Sequence, residues 1–141
     1  MDREQRYINE ICEILQIEIP NISTESSKFL SETMMALYIP GEDILYIKQS
    51  EFTPDSAFAI AHELRHIWQW KNNRTHYFDD YKDRNELSVE EYNMQIAEID
   101  ANAFGTIVMA DCFHLKPMFN GLSDEVIAAI NKQIDIIAKD L

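Results

Sequence analysis

Glycine is scarce, with 3 in 141 residues, where average usage of about 7% would give roughly 10. That scarcity argues against a sandwich of many short strands joined by glycine turns, and against a glycine-rich loop that cradles phosphate. Basic residues are also few. The 12 lysines and arginines face 25 acidic residues, a net charge of −13, which repels phosphate backbones and predicts no direct nucleic-acid binding. Cysteine is limited to Cys12 and Cys112, which form neither a C-x-x-C pair nor a disulfide framework and are read as idle or buried thiols. No apolar run approaches the 18 or more residues of a membrane span, and the opening MDREQRYINE is polar where a signal peptide is basic and then apolar. The expectation is a cytoplasmic chain with no membrane partner.

What is present is an ordinary globular balance, 46% hydrophobic and 26% charged, with no linker or repeat to divide it, so one domain over residues 1–141 is expected. Helical periodicity dominates. Ile8, Ile11, Cys12, Ile14 and Leu15 predict an amphipathic helix over about 3–17, which Pro20 cannot continue. Two apolar runs flank Pro40-Gly41, a pair suited to the centre of a type II turn, and predict a β-hairpin over about 34–48. Thr53 as N-cap, Pro54 and Asp55 start a helix that runs to about Trp70. Asn72-Asn73 then opens a polar stretch, read as a long loop or lid through Leu87. A Ser88/Glu91 capping box starts a long helix over about 89–110, and Ser123 caps a last amphipathic helix that reaches Leu141.

The central helix carries His62-Glu63-Leu64-Arg65-His66. Spacing of i, i+4 puts both imidazoles on one face within reach of a single ion, and Glu63 beside them can take a proton from a metal-activated water. Phe58, Ile60, Ala61, Leu64, Ile67 and Trp68 flank the motif, as expected of a buried helix whose polar groups need partners. A catalytic zinc site needs a third protein ligand. Asn72 stands six residues after His66, where the metzincin pattern has a histidine, so that subclass is excluded. Downstream, Glu98 lies inward with Gln95 and Asn102 and is the natural third ligand. Asn102, one turn on, is placed to bond the free ring nitrogen of a ligand histidine. Asp100 is turned about 200° from Glu98 and is the weaker candidate. Gly105, unusual within a helix, suits close approach to the HExxH helix.

The segments ALYIPGEDILYIK, AHELRH and AEIDANAFG together resemble the gluzincin peptidases, and among them the small ImmA/IrrE-type metallopeptidases of bacteria and their mobile elements. The resemblance covers about residues 34–110. It implies an α+β fold: a mainly helical, zincin-like minimal peptidase domain with a small sheet or hairpin before the HExxH helix. It also implies Zn2+ held by His62, His66 and Glu98, Glu63 as general base, and cleavage of a protein or peptide substrate, often a transcriptional repressor. That family commonly has glycine where Arg65 stands. Its relatives stabilise the oxyanion with Tyr, His or Arg; here His76, Tyr77, Tyr81, Arg84 and Tyr92 are the candidates, and the sequence does not choose among them. A non-catalytic, zinc-stabilised protein-binding module is the alternative, and Glu63 discriminates, since a structural site needs no base. Asp79, Asp80, Asp83, Asn85 and Glu86 lack calcium-loop spacing and are read as a solvated loop. His114, Trp68 and Trp70 are read as packing residues.

Overall fold

The computed structural model describes residues 1–141, and it is α+β, 57% helical with one three-stranded sheet. Helix α1, Arg3–Leu15, begins where Asp2 Oδ1 accepts from the Gln5 N–H at 2.7 Å. Its buried face of Ile8, Ile11, Cys12 and Leu15 joins the main core, and Tyr7 donates to the Ala57 carbonyl at 2.7 Å, tying α1 to the helix that carries His62 and His66.

The hairpin forms as expected from strands β2, Ala36–Tyr38, and β3, Ile44–Ile47, with Ala36 opposite Ile47 and Tyr38 opposite Leu45. Gly41 has φ +94 and the Glu42 N–H donates to the Ile39 carbonyl at 3.0 Å, the positive-φ turn that a proline-glycine pair favours. A third strand, β1, Asn21–Ser23, pairs parallel with β3 on its other side. The order is therefore β1-β3-β2, and β2 is an edge strand.

Helix α2, Pro54–Phe78, starts at a reciprocal cap: Thr53 Oγ1 accepts from the Ser56 N–H at 3.2 Å and Ser56 Oγ from the Thr53 N–H at 2.8 Å. It runs past Trp70, which corrects the expected loop from Lys71. Asn73 breaks the helical dihedrals (φ −156, ψ 64), so the asparagine pair does interrupt the helix. The chain then turns helical again, because Phe78 packs back on Trp70, ring centroids 5.5 Å apart, and on His66 at 6.1 Å.

The expected helix over 89–110 is two helices, α3, Val89–Met94, and α4, Ile96–Val108. The break falls at Gln95 (φ −62, ψ 141). Its amide donates to the Lys82 carbonyl at 3.1 Å and accepts from the Lys82 N–H at 2.7 Å, so Gln95 anchors the preceding loop and does not point inward with Glu98. The Ser88/Glu91 capping box forms, both bonds at 3.1 Å. A turn of π-helix, Met109–Phe113, follows α4. Helix α5, Asp124–Ala138, starts at Ser123 as expected and ends short of Leu141. Ile60, Leu64 and Ile67 of α2, Phe104 of α4 and Ile130 of α5 are fully buried in one cluster. No helix is long and apolar enough to cross a membrane.

Candidate metal centre

His62 and His66 project from the same side of α2 toward the first turn of α4, where Glu98 sits. The restart of the helix at Gln95 places Glu98 at its third position, near the positive end of the α4 dipole, which favours an ionised carboxylate. Glu98 Oε1 lies 3.2 Å from His62 Nε2 and Glu98 Oε2 lies 2.9 Å from His66 Nε2. The two Nε2 atoms are 3.1 Å apart. Glu98, at 3% exposure, and His66, at 6%, are buried.

Each ring is held from behind. His62 Nδ1 meets Asn102 Oδ1 at 2.8 Å, the contact expected of Asn102, and His66 Nδ1 meets Gln69 Oε1 at 2.8 Å. With the ring proton on Nδ1, both Nε2 lone pairs point at each other and at a carboxylate. Without a cation between them, that convergence is repulsive. The donor set, two imidazoles and one carboxylate, is one that zinc takes, with room left for water. Burial pushes His66 down, but the Glu98 carboxylate outweighs it and lifts the imidazole to about 9. Burial likewise opposes ionisation of Glu98, yet the two histidines hold it well below the usual carboxylate range.

Glu63 stands back from this cluster. The donor atoms of His62, Glu63 and His66 lie within 4.8 Å of one another, but Glu63 Oε2 is 3.9 Å from His66 Nε2, farther than either Glu98 contact. That oxygen is buried with no hydrogen-bond partner. An unpaired buried carboxylate oxygen is costly. Burial raises the Glu63 carboxyl above its ordinary value, with the nearby histidines opposing and Glu98 adding to the rise.

Three of the five oxyanion candidates reach the site. The Tyr81 hydroxyl donates to Glu98 Oε2 at 2.8 Å and contacts the Tyr92 hydroxyl at 2.8 Å. Arg84 lies over the Tyr92 ring at 5.3 Å. Tyr81 is thereby committed to orienting Glu98. His76 is exposed and Tyr77 packs on Trp68 at 6.2 Å. His114 is exposed at φ 54, ending the π-turn, and is not a packing residue. Asp79, Asp80, Asp83, Asn85 and Glu86 are exposed, as expected.

Asp100 is no ligand, as its direction on the helix foretold, but neither is it solvated. It is 1% exposed and receives Arg65 Nε at 2.7 Å and Arg65 Nη2 at 3.1 Å. Arg65 in turn lies over Trp68 at 3.7 Å. An arginine at position 65 is thus matched by an aspartate on the facing helix, a pair that sequence reasoning missed. Apolar neighbours around a charged residue on α2 were the available signal. Gly105 does serve close approach: a Cβ there would lie 2.8 Å from Phe58 Cε2, one turn before His62.

Two clefts flank the cluster. One of about 580 Å3 is lined by Met35, Ala36, Phe58, His62, Glu63 and Asn102. The other, about 280 Å3, is lined by Leu37, Tyr38, Ile39, Glu63, His66 and Phe78. Glu63 borders both, and residues 35–39, spanning edge strand β2, run alongside them.

Comparison with protein-family models, curated proteins and solved structures gives no match.

Proposed function

We propose that this chain is a zincin-like, metal-dependent endopeptidase, with His62, His66 and Glu98 holding a zinc-class ion and Glu63 as general base. The observation that carries this reading is the convergence of two Nε2 atoms and one carboxylate within 3.2 Å beside a buried, unpartnered Glu63 oxygen. A bound ion there would polarise a substrate carbonyl and lower the pKa of water.

The chain's own residues account for the rest. Glu63 takes a proton at Oε2 from the attacking water as its oxygen bonds to the carbonyl carbon, and gives that proton to the nitrogen as the C–N bond breaks. Its burial supports this, because a raised carboxyl pKa brings the base closer to the working pH. Edge strand β2 offers unpaired backbone groups to an extended peptide lying along residues 35–39. Asn102 and Gln69 hold the ligand rings, and Tyr81 holds Glu98. A site that merely staples α2 to α4 gives no reason for a Glu63 Oε2 atom that is buried without a hydrogen-bond partner.

The test is incubation of zinc-loaded protein with a mixed peptide library read by mass spectrometry, with and without a chelator. Chelator-sensitive cleavage that falls by at least about 100-fold in Glu63→Gln is expected. Cleavage unchanged in that variant would remove Glu63 from the mechanism.

A further inference from the structure

Gln69 lies one turn beyond His66 on α2 and is fully buried. Both hydrogens of its amide are committed, to the Ala97 carbonyl at 3.0 Å and to Asp100 Oδ2 at 2.8 Å. Both partners are pure acceptors when Asp100 is ionised, so the amide cannot be turned over. Its oxygen therefore faces His66 Nδ1, at 2.8 Å, and only an N–H can satisfy it. The ring proton is fixed on Nδ1 and the Nε2 lone pair on the cluster with His62 and Glu98.

Asp100 is itself pinned. Arg65 donates to it twice, Gln69 once, and Gln133 of α5 donates to Oδ1 at 2.9 Å. Four donors saturate one carboxylate that is 1% exposed, and charge-assisted bonds of this kind are the strong ones. The Arg65–Asp100 pair thus orients an amide that orients a ligand histidine, although neither charged group touches the cluster.

We propose that Gln69 is the positioning residue for His66, and that the buried Arg65–Asp100 pair exists to hold Gln69 in the one amide orientation that presents Nε2 to a metal. This rests on the metal-centre reading and extends it to Gln69 and Asp100 outside the motif and to Arg65 within it. Asn102 does the corresponding work for His62 from α4, so the two ligand rings are oriented by two independent devices.

The experiment measures zinc affinity by competition with a chromophoric chelator for wild type, Gln69→Leu, Asp100→Asn and Gln133→Leu. Two-bond 1H–15N spectra of the zinc-loaded proteins report the ring proton of His66. Wild type should show a slowly exchanging Nδ1–H on His66. Gln69→Leu should bind zinc about 10- to 100-fold more weakly, with that proton exchanging fast. Asp100→Asn, remote from the metal, should shift affinity in the same direction. Gln133→Leu removes a donor from the same carboxylate but leaves Gln69 alone, so it should lower the melting temperature while zinc affinity stays within about twofold, which separates positioning from a general structural role. Zinc affinity of Gln69→Leu equal to wild type overturns the inference while leaving the metal centre standing. So does a wild-type His66 that carries its proton on Nε2, a result independent of whether any variant folds. Failure of wild type to bind zinc overturns both.

Discussion

The Nε2 atoms of His62 and His66 stand 3.1 Å apart, both facing Glu98, while an amide oxygen holds each ring from behind at 2.8 Å. The rings are turned so that what would otherwise repel is gathered at one point. Asn102→Ala frees the His62 ring without touching a ligand. Zinc affinity should fall by about 10- to 100-fold, with binding still detectable at higher zinc. Calorimetric titration measures this, and an affinity unchanged from wild type would deny Asn102 the orienting role.

Glu63→Gln should stabilise the zinc-free protein. Burial raises the Glu63 carboxyl above its ordinary value of 4.5, so the folded state binds the proton more tightly than the unfolded chain. Stability from this group is therefore lost as pH rises above 4.5, and at neutral pH the buried charge weighs against folding. Melting curves of the two proteins at pH 5 and pH 8 should diverge, with the variant ahead by more at pH 8. Superimposed curves at both pH values would show that Glu63 is not held in a desolvated place.

Asp100→Ala leaves the Arg65 guanidinium buried without its counter-charge, and the cost should be about 3–5 kcal/mol of folding stability. Replacing both residues with leucine or methionine should recover most of it, since a buried pair gains little over apolar packing. Denaturant unfolding distinguishes the single from the double variant.

The local signals in the sequence were legible wherever a side chain bonds to backbone nearby. Thr53, Ser88 and Ser123 cap their helices, and Gly41 takes the positive φ that its turn needs. The i, i+4 spacing put His62 with His66 and Glu98 with Asn102 on one face of each helix, and the two pairs meet. What escaped reading depends on partners far along the chain. Strand β1 is three residues long and exists through its pairing with β3. The break at Gln95 leaves the hydrophobic period of 89–110 intact and is made by the Lys82 backbone. The helix after Asn73 is held by Phe78 packing on Trp70. Asp100 is turned away from the His62, His66 and Glu98 cluster, as its helical position predicts, but its partner Arg65 lies 35 positions earlier.

Gly105→Ala places a Cβ 2.8 Å from the Phe58 ring. Alanine gains about 1 kcal/mol in helix propensity over glycine, while overpacking costs about 1–3 kcal/mol, so a net loss of up to about 2 kcal/mol is expected. In a Phe58→Leu background the same substitution should become neutral or stabilising. Thermal melts of the four proteins complete the cycle.

Zinc stoichiometry of wild type beside His62→Ala, measured by elemental analysis after dialysis against a metal buffer, reaches the central claim most directly. His62, His66 and Glu98 converging as they do should give about one zinc per chain in wild type, the single-ion stoichiometry of such sites, and almost none in His62→Ala with its helical spectrum intact. Equal zinc content in the two proteins, or none in either, would contradict it.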